Sequence, residues 1–227
     1  MKAKKLAISL AIIAAVTSGG LMGLAGCQSE PSEPEPTDLG EVEITEWEGE
    51  DLSSINDFRE NSIKGPQEVD IESYRLKISG LVDEPYELTY DEALSNYPAY
   101  HKVMTISCVE GWDVKLLWEG IRVSDLINQA GVQPEAQIII FHAVDDYTTS
   151  LPIDYIVDND LLLAYKMNEV TLPAARGFPF ELAAESKWGY KWIKWVDEIE
   201  LSSDTEYRGF WESRGYSNTA DLDDFYR

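Results

Sequence analysis

LLLAYKMNEVTLP, residues 161–173, is the stretch that decides the fold class. Its first seven residues form a near-continuous apolar run, as in a strand covered on both faces, and Asn168-Glu169 then separates it from VTLP as a hairpin turn would. A similar run recurs at AQIIIFHAV (136–144). Tyr74, Leu76 and Ile78 alternate with Arg75 and Lys77 ahead of Gly80, which predicts a half-buried strand. KVMTISCV (102–109) is strand-like and brings Cys108 near the strand's end, while FELAAE (180–185) and WIKWVDEIEL (192–201) complete a strand-rich second half. The helices are expected to be short. Thr89 and Glu92 have the spacing of a capping box ahead of Ala93 and Leu94. VSDLINQAG (123–131) reads as a helix with Ser124 or Asp125 near its N-cap and Gly131 past its end. Short helices among many strands, without regular βαβ alternation and without a GxGxxG or P-loop, predict an α+β domain with mixed sheets.

The chain has 227 residues, 44% of them hydrophobic and 11% aromatic, enough for one domain with a sizeable core. Eighteen Lys+Arg against 42 Asp+Glu give a net charge of −24, which opposes nucleic acid and anionic lipid as partners.

Residues 1–26 have the three parts of a secretory signal: basic Lys2, Lys4 and Lys5, an apolar run from Leu6 too short to span a bilayer, and small residues at Gly19 and Gly20. LAGC (24–27) looks like a bacterial lipobox, which makes Cys27 the expected lipidation site; a plain signal anchor with an incidental cysteine is the alternative. Acyl chains at ~0.8 kcal/mol per buried CH₂ would then hold the protein at the extracytoplasmic face of the cell membrane. Residues 27–52 are rich in Pro, Ser and Glu and are expected to form an acidic tether. Val42, Ile44 and Trp47 in its second half are candidates for packing on the domain, which is placed at 53–227.

The other cysteine, Cys108 in TISCVEGWD (105–113), has four readings. Free cysteine is often simply a buried small hydrophobe. A nucleophile needs a base, and His101 lies on the opposite face of the same strand, leaving His142 through tertiary contact alone. One cysteine and two scattered histidines lack zinc-ligand spacing. The last reading is a single soft thiolate ligand to a metal whose other sulfurs come from a cofactor. An anionic cofactor would also explain why Arg176, Lys187, Lys191 and Lys194 fall within nineteen positions of a chain poor in basic residues. Gly189 among them would permit close backbone approach. The alternative is a solvated face with salt bridges to Glu181, Glu185 and Asp197.

From about Arg59 to about Asn218 the chain resembles the molybdopterin-binding domain of the sulfite oxidase superfamily. The matching stretches come in order: CVEGW, WEGIRVSDLINQAG, DDYTTSLPIDY, LLLAYKMN, LPAARGFPFELAAESKWGYKWIKWVDEIEL and RGFWESRGYSN. CVEGW and KWGYKWIK are most similar to the periplasmic methionine sulfoxide reductase branch. The resemblance implies a sulfite-oxidase-type fold and a molybdenum-molybdopterin cofactor, with Cys108 as the metal ligand. It also implies that Arg59, Asn61, Ser62, Arg176, Lys187, Tyr190 and Lys191 contact the cofactor, and that Trp112 and Tyr147 line the reacting side.

Three departures bear on function. Sulfite oxidases have Ala-Gly-Asn-Arg-Arg after the metal cysteine, whereas Val109-Glu110-Gly111-Trp112-Asp113 is acidic and would repel a dianion. Arg176 stands where many relatives have histidine, a change that keeps phosphate binding open. Lys4-Lys5 stands where folded, cofactor-loaded proteins usually carry a twin-arginine export signal. The expected function is two-electron oxygen-atom transfer, the reduction of a small-molecule S-oxide or N-oxide. No CxxCH haem motif is present, so the electrons are expected from a separate quinone-linked or haem protein. The rival readings are a sulfite-type oxidase and a cofactor-free surface lipoprotein.

Overall fold

In the computed structural model, which describes residues 39–226, the two long apolar runs become inner strands of two five-stranded sheets. The leader, Cys27 and the first part of the tether lie outside the described residues. In chain order the elements are β1 (Glu46–Trp47), β2 (Glu50–Asp51), β3 (Leu76–Gly80), β4 (Tyr86–Leu88), α1 (Tyr90–Asn96), β5 (Tyr100–Ser107), β6 (Asp113–Arg122) and α2 (Val123–Ala130). They continue with β7 (Ile138–Ala143), β8 (Thr148–Pro152), α3 (Ile153–Asp158), β9 (Leu162–Met167), β10 (Val170–Thr171), β11 (Glu181–Ala183) and β12 (Val196–Ser202). One sheet runs β4-β3-β12-β7-β8, antiparallel except for the parallel pair β3–β12. The other runs β10-β9-β6-β5, with β11 pairing beside β10 along β9. This is the expected α+β class with mixed sheets.

β9 explains its own composition. It has a neighbour on each edge, and Leu162, Leu163, Ala164 and Met167 are fully buried, so an alternating pattern would place polar groups in the core. The predicted turn follows, with Asn168 (φ 48°) and Glu169 (φ 65°) both left-handed as a tight hairpin requires. Asn168 is also a buried clamp. Its Oδ1 accepts from Leu117 N at 3.0 Å and its Nδ2 donates to Ser53 O at 2.8 Å. A single apolar cluster joins both sheets and takes in Ala93, Leu126 and Ile156 from the three helices.

The capping box forms as predicted: Glu92 N donates to Thr89 Oγ1 at 3.2 Å, and Thr89 N to Glu92 Oε2 at 2.9 Å. The start of α2 differs. Arg122 is its N-cap, without a side-chain cap bond, and Ser124 and Asp125 lie inside the first turn because Val123 is drawn into the core as the first helical residue. β12 starts at Val196 rather than Trp192, since Trp195 adopts a left-handed φ of 57° that interrupts extended backbone. In the N-terminal segment, β1 and β2 form a small hairpin, Trp47 stacks on His101 at 5.7 Å, and Ile44 N donates to Asn168 O at 3.1 Å. Val42 does not share in this packing and is 93% exposed.

Candidate active site

Cys108 follows β5 directly, at the mouth of the connection to β6. Its own N–H donates to Trp112 O at 2.9 Å and its carbonyl accepts from Gly111 N at 2.9 Å, closing a tight loop in which Gly111 takes φ 87°. Gly189 packs against this loop. A Cβ there would lie 3.3 Å from Ser107 O and 3.7 Å from Cys108 Cα, so the close approach that glycine permits here is to the Cys108 loop of the chain itself, rather than to the anionic cofactor expected from the sequence. The sulfur accepts from Glu110 N at 3.5 Å and Asn61 Nδ2 at 3.8 Å. Burial pushes the thiol pKa up and the Glu110 charge adds to this, while the two N–H donors pull it down. Neither histidine can act as its base. His101 pairs with Glu119 and His142 with Glu200, and neither lines the cavity around Cys108. No group of three or more His, Cys, Asp or Glu able to hold a metal occurs among the described residues. Of the chemical readings of this thiol, a lone ligand to a cofactor-borne metal agrees with the geometry.

The cavity that exposes Cys108 has a volume of about 330 Å³ and is walled mainly by aromatic and apolar side chains. Phe58, Trp112, Tyr190, Trp195, Trp211 and Tyr216 give it an aromatic lining that would suit a heterocyclic ligand. It gathers residues from 58 to 216, and Cys108, Trp112, Tyr147, Arg59, Asn61, Ser62, Arg176 and Tyr190 are all on its wall. Two of its polar atoms, Ser62 Oγ and Arg176 Nε, are buried without a hydrogen-bond partner. Such orphans are rare and mark places where a ligand completes the bonding. Arg59 is exposed at the edge with no ion-pair partner among the described residues. Tyr147 contributes its ring, but its hydroxyl donates to Tyr190 O at 2.5 Å, and burial holds its pKa well above the ordinary tyrosine value. Tyr190 OH donates in turn to Ser217 O at 2.8 Å.

The basic cluster divides. Lys187 and Lys191 do not reach the cavity wall. Lys187 pairs with Asp221 and lies over the Tyr155 ring. Lys191, fully buried, donates to Glu212 Oε1 at 2.5 Å and Ser150 O at 2.8 Å, a closed arrangement with no path to a cavity ligand. Arg176 and Lys194 do line the cavity. Arg176 Nη2 donates to Phe58 O at 2.7 Å with its guanidinium over the Phe58 ring, and Lys194 pairs with Glu60 at 2.5 Å. The salt-bridge partners are thus Asp221, Glu212 and Glu60, rather than the Glu181, Glu185 and Asp197 nearby in sequence. The cavity also holds Glu110, Asp145 and Glu181, which were not among the predicted site residues. Glu110 Oε2 accepts from both Asn61 Nδ2 and Trp112 Nε1 at 3.3 Å, locking these two beside the sulfur. Glu110 carries a signal in sequence as part of the acidic run after Cys108, and Glu181 as a lone carboxyl inside the apolar FELAA.

These residues fit a molybdopterin. The pattern offers one soft thiolate, aromatic faces, and unsatisfied hydroxyl and guanidinium groups. Residues 63–211 match the family model of the oxidoreductase molybdopterin binding domain. An uncharacterized oxidoreductase, YuiH of Bacillus subtilis (strain 168), is 34% identical over 157 residues, covering 69% of this chain and 78% of that one. The protein-methionine-sulfoxide reductase catalytic subunit MsrP of Xanthomonas campestris pv. campestris is 26% identical over 173 residues, covering 67% of this chain and 54% of its own length. Among solved structures, the sulfane dehydrogenase SoxCD of Paracoccus pantotrophus shares the fold with a TM-score of 0.60 at 24% identity, over 68% of this chain and 43% of that one. The chain therefore belongs to the molybdopterin-binding oxidoreductases of the sulfite oxidase superfamily, near their methionine sulfoxide reductase branch, and it is an enzyme whose cofactor is molybdenum-molybdopterin.

Proposed function

We propose that the protein reduces a neutral S-oxide or N-oxide, anchored by lipid on Cys27 at the extracytoplasmic face of the membrane and supplied with electrons by a separate quinone-linked or haem protein. One observation carries the direction of the chemistry. The carboxylate of Glu110 stands beside the Cys108 sulfur, held there by Asn61 and Trp112, where a sulfite dianion would meet repulsion and a neutral dipolar oxide would not. The likeness to methionine sulfoxide reductase catalytic subunits supports the same choice.

When bound, the cofactor supplies two-electron oxygen-atom transfer. Cys108 Sγ would be its protein ligand, with Glu110 N–H and Asn61 Nδ2 lowering the electron density on sulfur. Arg59 and Arg176 would hold its phosphate, with Ser62 Oγ as a further donor and Lys194 on the same cavity wall; Lys187 and Lys191 are left as structural ion pairs. Trp112, Trp211 and Tyr216 would keep water from the reacting side.

Purified exported protein should contain near-stoichiometric molybdenum and turn over methionine sulfoxide or trimethylamine N-oxide with a reduced viologen as donor. Cys108→Ala should lose turnover. Saturable sulfite oxidation without oxide reduction would reverse the assignment. Globomycin should make the precursor accumulate, and an unchanged product would remove the lipid anchor.

A further inference from the structure

Beyond the family-matched residues 63–211, the chain folds back along the Ser186–Trp188 segment. Trp188 N donates to Ala220 O at 2.9 Å, Trp188 Nε1 to Asp224 O at 3.3 Å and Ser217 N to Tyr226 O at 2.9 Å, while Asp221 pairs with Lys187. These bonds hold Tyr226 where two lines of rings meet. One comes from the cavity wall: Tyr190 lies 5.2 Å from Tyr216, and Tyr216 stacks on Tyr226 at 5.9 Å with 29° between the planes. The other comes from the Cys108 loop, where Trp188 bridges to Ser107 through its backbone and meets the Tyr226 ring edge-on at 5.6 Å. Outward from Tyr226 the line continues to Phe225 at 6.3 Å. Phe225 is 86% exposed, the one aromatic among the large exposed hydrophobics of the described residues. Asp223 and Asp224 beside it are exposed, and neither forms an ion pair among the described residues.

We propose that Phe225, Asp223 and Asp224 form the docking surface for a positively charged one-electron carrier protein, whose electrons reach the cavity across the rings of Tyr226, Tyr216 and Tyr190. An aromatic anchor flanked by charge is what protein interfaces use, and redox encounters rely on small, charge-steered contacts. A net charge of −24 repels a second copy of this chain and an anionic bilayer, and attracts a cationic protein. Electron tunnelling weakens steeply with the gap between π systems, so rings in near contact shorten the path from surface to cavity. The inference rests on the reductive reading above only for the direction of flow. In that direction two carriers are each oxidised by one electron, the S–O or N–O bond breaks, and sulfur or nitrogen gains the pair. The oxygen leaves as water with two protons from solvent, and the rings undergo no net change.

The test uses the molybdenum-loaded full chain and a cationic c-type cytochrome as probe. In calorimetry at low salt the cytochrome should bind, with affinity falling as salt rises. Asp223→Lys with Asp224→Lys should weaken binding about tenfold, whereas the same charge change at exposed Glu48 and Asp51 should alter it less than about twofold. Equal losses from both pairs, or none from the first, overturn the docking surface, as does an absence of binding by the wild type. For electron passage, the chain is reduced with dithionite, desalted and mixed with ferric cytochrome, so that it yields two electrons, one to each of two haems. Tyr226→Leu should bind the cytochrome as the wild type does and pass electrons at least tenfold more slowly; an unchanged rate overturns the ring path. Both experiments run without an oxide substrate. If they succeed and the loaded chain reduces no oxide, the reductive reading fails alone and the same surface carries electrons outward.

Discussion

Cutting the buried pair Lys191–Glu212 separates a structural lysine from a cofactor-holding one. Both side chains are completely buried, and Glu212 Oε1 also accepts from Thr149 Oγ1 at 2.6 Å. Glu212→Ala leaves the Lys191 ammonium with the Ser150 carbonyl as its remaining partner, in surroundings that already depress its pKa by desolvation. Removing one member of such a pair costs about 3–5 kcal/mol, or about 6–20 °C in Tm for a domain of this size. Lys191→Met strands the carboxylate and should cost a similar amount. The double variant Lys191→Met, Glu212→Leu removes both charges and should recover most of the loss, short by about 1 kcal/mol for the Thr149 hydroxyl left without its acceptor. Thermal unfolding and molybdenum per chain, measured on all three, decide the matter. Unstable single variants with a stable, molybdenum-loaded double variant are expected. A stable double variant without molybdenum would refute the reasoning and return Lys191 to the cofactor's phosphate.

Three further outcomes follow from particular contacts. Gly177→Ala, at φ 99° and against Glu181 Cβ and Lys194 Cβ, should destabilise by about 1–3 kcal/mol in urea unfolding, and a neutral result would remove both strain and crowding from the account. Asn61→Ala withdraws one N–H from Cys108 Sγ at an exposed position, so stability should hold while turnover falls about 10–100-fold and the molybdenum(V) EPR signal shifts; an unaltered signal would dismiss the contact. The pH dependence of stability has its sign set by Glu181, whose folded pKa of about 8 lies above its ordinary 4.5. The folded chain then binds more protons between those values, so stability is complete below about pH 4.5 and is lost as pH rises toward 8. The amount is roughly 2–5 kcal/mol. Buried Asp145 and half-buried Asp197, both raised by desolvation, act in the same direction. Urea midpoints at pH 5.5 and 8.5 should differ in the wild type and converge in Glu181→Gln; a higher wild-type midpoint at pH 8.5 would reverse the argument.

The features legible in sequence are those that local chemistry decides. The β9 run, the Asn168-Glu169 turn and the Thr89–Glu92 capping box depend on residues within a few positions of one another, and each forms as read. The loop chemistry around Cys108 was similarly local. The direction of a long cation is not. Four basic residues between 176 and 194 look alike in sequence, yet two face the cavity and two turn away, because their acidic partners are Glu60, Glu212 and Asp221. Glu181 was visible as an odd carboxyl in an apolar strand, but only the packing of β11 on β9 tells that it faces the cavity. Tyr147 lines the cavity, and the commitment of its hydroxyl to the Tyr190 carbonyl is a tertiary contact that no local pattern announces.

The parallel pair at the centre of one sheet sets an order of events during synthesis. β3 pairs with β12 through Lys77 and Glu198, so the sheet cannot close until most of the chain has left the ribosome. Contacts so distant in sequence form slowly. The cavity has the same dependence, since its wall runs from Phe58 to Tyr216. A nascent chain released after β11 would carry Cys108 and yet lack Trp195, Trp211 and Tyr216. Cofactor capture is therefore a late step in biogenesis, and a fragment ending before β12 should be recovered without metal however long it is incubated with loading factors.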